Sequence, residues 1–466
     1  MDNLFLDRRR WLHQAGMGLG MLGVGSLLEA EAASDQGRHR VELPHHPPKA
    51  KHVIHIFFNG GLSQMDSFDP KPMLARYHGK TLPARSPETE NMTGGAFASP
   101  FKFKPYGQSG IEVSELFPHI GQVVDKMCVI RSMHTDSVTH TPSLMMMNSG
   151  TLTQTTPAMG SWVTYGLGTE NRSLPGFVVL CPGGLPIAGP NNWRSAFLPS
   201  VYQGTLVDTD NTDVERLIAD IRNRKIGTAQ QRRQLDLLQQ LNLEHRQRTG
   251  ADDAIDARIE SYELAYRMQA SASDAFDIGK EPAHIREMYG DSAQGRQLLI
   301  ARRLVERGVR FVQCWHGKNQ PWDNHSELEK EHRFRANECD RGIGALIADL
   351  DQRGLLDETI VFFCGEFGRT PTAELSEQGK SLLGRDHNPY AFTCCVAGGG
   401  FRRGEVYGKS DPFGYQAIEN RVHVHDLHAT ILHQLGIDHK RFTYRHAGRD
   451  FRLTDVDGHV VQGVLA

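Results

Sequence analysis

Apolar residues follow two rhythms along this chain, and the two alternate. Between Ala336 and Arg353, the residues Ile343, Leu346, Ile347 and Leu350 recur at helical spacing, while Asp340, Arg341, Asp349 and Arg353 take the other face. Gly354 then stands where a left-handed helix cap is needed. Thr359 to Cys364 is a short β-branched and aromatic run, which predicts a buried strand. The same alternation predicts strands at Val53–Phe58, Val309–Cys314 and Ala391–Val396, and a helix end running into a strand over Val123–Arg131. Helices are predicted at Gln297–Arg307 and His425–Leu435, the second capped by Gly436. Together these elements predict an α/β domain with a mostly parallel sheet flanked by helices. From about residue 208 to about 290 the chain turns charged, glutamine-rich and helical in period, which predicts a helical insertion on the sheet's flank.

Composition narrows the class. The 466 residues suit a large α/β unit, and 39% hydrophobic with 23% charged residues reads as globular. A net charge of -3 provides no basic footprint, so nucleic acid is not an expected partner. The first 33 or so residues read separately. Arg8, Arg9, Arg10, Trp11 and Leu12 precede a glycine-rich apolar run from Ala15 to Leu28, and Ala30-Glu31-Ala32 follows as a small-residue cleavage site. This is the layout of a twin-arginine export signal, with Asp7 in place of the more usual Ser or Thr. The apolar run is too short to span a bilayer, so the expectation is an exported, periplasmic or extracellular protein with no transmembrane helix in its mature chain. Residues 34–50 are polar and proline-bearing, a linker, and 51–466 form the folded domain. The seven cysteines include no C-x-x-C pair and read mostly as small buried hydrophobes, with room for one disulfide that spacing does not place.

Polar residues gather beside the apolar runs, where open α/β sheets bind ligands. Asn59 and Asp66 follow the first strand; His316, Asp323 and His325 follow the Val309 strand; Glu366 and Arg369 follow the Thr359 strand. Arg385, Asp386 and His387 precede the Ala391 strand, in a loop with no core to serve. Histidine with carboxylate suits zinc, manganese or iron, whereas carboxylate and amide oxygen alone suit calcium or magnesium. The plain alternative for Asp323 is a helix N-cap, and for Glu366 a helix-start acid beside Arg369. For His423, His425 and His428 capping and surface roles are the expectation, and Met145, Met146 and Met147 are expected in the core.

The Ala336–Gly368 stretch resembles the late segment of sulfatases, a helix and strand of the type MDxxIGxxLxxLxxxGLxDxTxVxFTSDxG, with the metal-binding acid appearing as Glu366. Thr139 to Gly150 is similar to the sulfatase nucleophile signature C-x-P-S-R-x-x-L-x-T-G, and His425 to Leu432 is similar to a helix near the sulfatase C-terminus. More closely still, FNGGLSQMDSFDPKP, LLIARRLVERGVRFVQCWHG, WDNH, GEFGRTP and GRDHNPYAFTCCVAGGGFRRGEVYG resemble the domain-of-unknown-function 1501 family, over about residues 51 to 455. The resemblance implies an alkaline phosphatase/sulfatase-like fold and a divalent metal bound by Asn59, Asp323, His325, Glu366, Asp386 and His387. It also implies hydrolysis of a small-molecule or polysaccharide ester, with Arg369 or Arg385 neutralising charge on the anionic group. The departures are specific: His140 stands where the sulfatase nucleophile belongs, Leu144 replaces its supporting arginine, and Phe367 cannot ligate a metal. His140 thus reads as nucleophile, base or metal ligand. Two functions remain open, a metal-dependent sulfate or phosphate ester hydrolase and a catalytically silent relative that binds glycan or a partner protein.

Overall fold

The computed structural model describes residues 43–83, 89–213, 217, 226–249 and 253–466. The expected export signal and residues 34–42 of the expected linker lie outside the described residues. In chain order the main elements are β1 (His52–Phe57), β2 (Met127–His134), α1 (His140–Ser149), α2 (Met159–Leu167), β3 (Phe177–Cys181) and β4 (Thr205–Asp208). The helices α3 (Thr228–Thr249), α4 (Asp253–Phe276), α5 (Ala283–Tyr289) and α6 (Ala293–Glu306) come next. Then follow β5 (Phe311–Trp315), α7 (Leu328–Gln352), β6 (Thr359–Cys364), β7 (Phe392–Ala397), β8 (Glu405–Tyr407), β9 (Val422–His423) and α8 (Val424–Gln434).

The nine strands form one sheet in the order β8-β2-β7-β6-β1-β5-β3-β4, with β9 also on the edge of β2. Every pairing in it is parallel except those of β7, which runs antiparallel to both β2 and β6. Each central strand is buried along its whole length, as a sheet covered on both faces requires. Alternate side chains supply two cores. Ile54, Val312, Val361 and Phe363 pack with Leu298 and Leu304 of α6 and Ile343, Leu346 and Leu350 of α7. Val53, Phe57, Trp315 and Phe362 meet Met145 and Met147 of α1, Trp162 of α2, and Leu427 and Ile431 of α8 on the other face. Met145, Met146 and Met147 are therefore core, as their setting predicts.

Two expectations change. The helix predicted from Ala336 begins at Leu328, because Leu328, His332 and Ala336 carry its buried stripe back through a charged stretch. The disulfide allowed by the cysteine count is not formed: all seven thiols are free and buried. The layer of α5, α6 and α7 is tied by charge as well as by apolar contact. Arg302, 1% exposed, donates to Glu281 Oε2 at 2.6 Å and lies as an ion pair 3.0 Å from Asp349 Oδ2, and Tyr289 donates to the same Asp349 oxygen. Among the described residues, no helix is long and apolar enough to cross a membrane.

Several histidines are buried as neutral packing groups. His55 stacks on Phe362 at 4.0 Å, and His332 lies between the rings of Phe101 and Trp322. Burial pulls His332 down to about 3, and His428 likewise to about 3. Unfolded histidine titrates near 6.5, so between about 6.5 and about 3 the unfolded chain binds protons that the folded chain refuses. Stability is thus complete above that window and falls as pH drops through it, by about 1.4 kcal/mol per pH unit for each such histidine. We expect His332→Phe to flatten the pH dependence of urea unfolding between pH 6 and pH 4.5 by about one proton. An unchanged slope would show that His332 is not held neutral.

Candidate metal centre

Four loops leave the carboxyl ends of β1, β2, β5 and β6 along one edge of the sheet. Because β7 is antiparallel, the segment leading into it reaches the same edge. There Gly368–Arg369 and His387–Asn388 form a short antiparallel ladder that holds Arg369 opposite His387. The turn after β1 passes so close to the loop after β5 that a Cβ on Gly60 would sit 2.6 Å from the Asp323 backbone nitrogen. Gly60 also has φ +108°, a conformation that suits glycine.

Asp323 is the point on which the edge converges. Its Oδ1 lies 2.8 Å from His325 Nε2 and 3.1 Å from His387 Nε2, and accepts a bond from Arg369 Nη2 at 2.7 Å. Its Oδ2 lies 3.3 Å from His140 Nε2. One ligand atom from each of His140, Asp323, His325 and His387 falls within 4.8 Å of all the others. Each imidazole has an acid behind it. His140 Nδ1 meets Glu366 Oε1 at 2.7 Å, His325 Nδ1 meets Glu374 Oε2 at 2.5 Å, and His387 Nδ1 meets both Glu90 Oε2 at 2.7 Å and the Val138 carbonyl at 2.8 Å. Glu366, fully buried, also accepts from the Gly60 backbone N–H at 3.0 Å. Phe367 packs against the rings of His140 and His387, with centroids 4.9 and 4.6 Å away.

The electrostatics follow from that crowding. Burial works against charge on all three rings. At His325 the bonds to Asp323 and Glu374 overcome it and lift the ring to about 9; at His140 those to Asp323 and Glu366 also win and raise it. At His387 burial prevails, helped by Arg369 and His140, and the ring falls to about 3. Burial would lift the Asp323 carboxyl, yet its bonds to the three histidines, with the Arg369 charge beside them, hold it far below the usual range. Two nearby atoms lack partners: His140 Nε2, poorly aligned for a hydrogen bond to Asp323, and Asn59 Oδ1. Three imidazole nitrogens, one of them buried without a partner, and one carboxylate fit a divalent metal.

A family model described as "Protein of unknown function (DUF1501)" matches residues 50–465. The chain belongs to the DUF1501 family. No curated protein matches it. Solved structures with a similar chain path include the PsFucS1 sulfatase from Pseudoalteromonas sp., at 12% identity and TM-score 0.39, covering 90% of this chain and 72% of that one. The alkaline phosphatase from the Antarctic bacterium TAB5 is 10% identical with TM-score 0.31, over 77% of this chain and 95% of its own. The phosphonate monoester hydrolase SpPMH from Silicibacter pomeroyi is 10% identical with TM-score 0.31, over 69% and 68%. The functional reading rests instead on the residues of this DUF1501 protein itself.

Of the residues singled out in the sequence, His140, Asp323, His325 and His387 come together as donors. Glu366 stands behind His140. Arg369 does not face outward to meet an anion, because its buried guanidinium binds the carbonyls of Gly60, Gly61, Trp322 and Arg385 besides Asp323. Arg385 also departs from the expected role: it pairs with buried Asp66 at 2.7 and 3.2 Å and with the carbonyls of Thr370 and Phe97. Asp386 fastens the segment at Asn91, accepting from its backbone N–H at 2.6 Å and its side chain at 3.2 Å, although Asp386, His325 and Glu374 also lie within 4.8 Å of one another. Asn59 donates to Asn319 O at 2.6 Å. His316 is buried and accepts from Trp322 Nε1 at 2.8 Å. His425 and His428, expected at the surface, are instead buried and donate to the carbonyls of Gly150 and Met147, closing the end of α1. Sequence reasoning passed over Glu90 and Glu374, which sit in turn-rich stretches without periodicity; only their contacts reveal them.

The Arg385–Asp66 pair separates a structural arginine from a substrate-binding one. Arg385→Met leaves a buried carboxylate unpaired and is expected to cost about 3–5 kcal/mol in urea unfolding, with Asp66→Asn restoring part of it. A variant as stable as the parent would return Arg385 to the site.

Proposed function

We propose that this DUF1501 protein is an exported, metal-dependent hydrolase of sulfate or phosphate esters, acting on a small molecule or a polysaccharide. The observation that carries the reading is the convergence of His140, Asp323, His325 and His387 on one point at the sheet's carboxyl edge. These four side chains would hold the ion, which when bound supplies a Lewis acid for a sulfuryl or phosphoryl oxygen. Arg369 holds Asp323 in place through a 2.7 Å bond, so the carboxylate keeps one orientation towards the three rings. Phe367 covers His140 and His387 with an apolar wall, which keeps water from competing for them. Glu90, with its side chain 38% exposed, lies on the open side of the group.

The rival is a silent relative that binds glycan or a partner protein. It is favoured by the position of His140, which resembles the sulfatase nucleophile in sequence yet lies among the donors with Nδ1 held by Glu366. Elemental mass spectrometry of the mature protein decides first. About one equivalent of divalent metal is expected, lost in Asp323→Ala, with hydrolysis of 4-nitrophenyl sulfate or phosphate falling in step. A metal-free native protein would retire the hydrolase reading in favour of the rival.

Export is tested separately. Exchanging Arg8 and Arg9 for lysine is expected to strand the precursor in the cytoplasm, read by cell fractionation. Normal export of that variant would remove the twin-arginine machinery as a partner.

A further inference from the structure

Three histidines on three separate segments share one disposition. His140 opens α1, His325 lies in the loop after β5, and His387 lies in the short ladder before β7. In each, Nδ1 faces a glutamate and Nε2 faces Asp323. A ring nitrogen against a carboxylate donates, so Nδ1 carries a hydrogen towards each glutamate, and a cation seated beside Asp323 would take the place of any hydrogen on Nε2 and leave that nitrogen to present its lone pair. The glutamates come from three further places: Glu366 just after β6, Glu374 beyond it, and Glu90 well before β2.

Folding alone does not call for this arrangement. Burying carboxylates beside imidazoles costs desolvation, and a stable core is more simply built from apolar groups. Here Glu366 is fully buried and Glu374 is 7% exposed, each against an imidazole, and Asp323 meets three imidazoles besides the Arg369 guanidinium. A dication among the rings would give these buried carboxylates a countercharge.

We infer that His140, His325 and His387 coordinate a zinc-class ion through Nε2, together with Asp323, and that Glu366, Glu374 and Glu90 are positioning residues that fix the tautomer and tilt of each ring. The inference rests on the metal dependence proposed above, but not on the reaction. It names the ion: calcium takes six to eight oxygens and magnesium an oxygen octahedron, whereas three imidazoles with one carboxylate form a nitrogen-rich set suited to zinc and its neighbours. It also assigns His140, whose Nε2 belongs to the ligand set and whose Nδ1 is held by Glu366, so neither nitrogen is left to act as a nucleophile. Carboxylates behind metal-bound histidines raise ligand basicity as well as orienting the rings.

The test reads binding and not turnover. The mature protein, stripped with a chelator, is titrated with zinc, calcium and magnesium against a chromophoric competitor, and with cobalt(II) followed by visible absorption. One equivalent of zinc is expected, bound more tightly than calcium or magnesium, with the intense cobalt bands of a four-coordinate nitrogen-rich site. Glu366→Gln and Glu374→Gln should each weaken zinc by roughly 10–100-fold, and Glu90→Gln by less, because the Val138 carbonyl still accepts from His387 Nδ1. Glu358→Gln, which removes only a surface pair with Lys51, should leave affinity unchanged. Tighter binding of calcium or magnesium overturns the inference, as do three glutamine variants that all hold zinc like the parent. Should a buried variant fail to fold, the order of zinc, calcium and magnesium affinities of the unaltered protein decides by itself. A protein that binds zinc in this way yet hydrolyses no ester sinks the hydrolase reading and leaves this one standing.

Discussion

One carboxylate organises this end of the molecule. Asp323 meets three imidazoles and a guanidinium that arrive on separate stretches of chain, and its two oxygens are shared among them. Few backbones bring four such groups to one atom pair without strain. Here the sheet does it, because parallel strands end together along one edge and the antiparallel β7 begins there. The close approach of Gly60 to Asp323 completes the geometry, since any side chain at Gly60 would push the two loops apart.

Around that carboxylate lies a frame of buried charge. Arg369 joins the turn after β1, the loop after β5 and the segment before β7 through their carbonyls, and Arg385 does the same through Asp66 and two carbonyls. A guanidinium offers five donors in a rigid fork, so one side chain can pin several loops that make no regular ladder with one another. This explains why two arginines beside a metal-type cluster are not available to an anion. Their positive charge is already matched by Asp323 and Asp66, and their donors by the loop carbonyls.

Much of the fold was legible because its signals are local. A run such as Thr359–Cys364 is apolar at every position, so it reads as a strand covered on both faces, and it is one. The stripe of Ile343, Leu346, Ile347 and Leu350 likewise reads as a helix against a core. What escaped was the first part of α7, where a charged exposed face hides the buried positions Leu328, His332 and Ala336. At the candidate centre, the polar residues after the Val309 strand announced Asp323 and His325, and those in the loop before the Ala391 strand announced His387, since polar groups in such loops bind ligands. Glu90 and Glu374 announced nothing, because an isolated acid in a turn-rich stretch looks the same whether it meets solvent or an imidazole.

The order of elements, the layering of helices on a mostly parallel sheet and the short menu of polar residues at its edge were determined by the sequence itself, through periodicities of a few residues. Which of those polar residues face one another was decided only by the tertiary structure. His140 and Asp323, like Arg385 and Asp66, are far apart along the chain, and no local pattern ties them. Histidines and arginines can donate inward to backbone or outward to a ligand with the same neighbours in sequence. The packing of distant loops settles which, by supplying or withholding acceptors within about 3 Å.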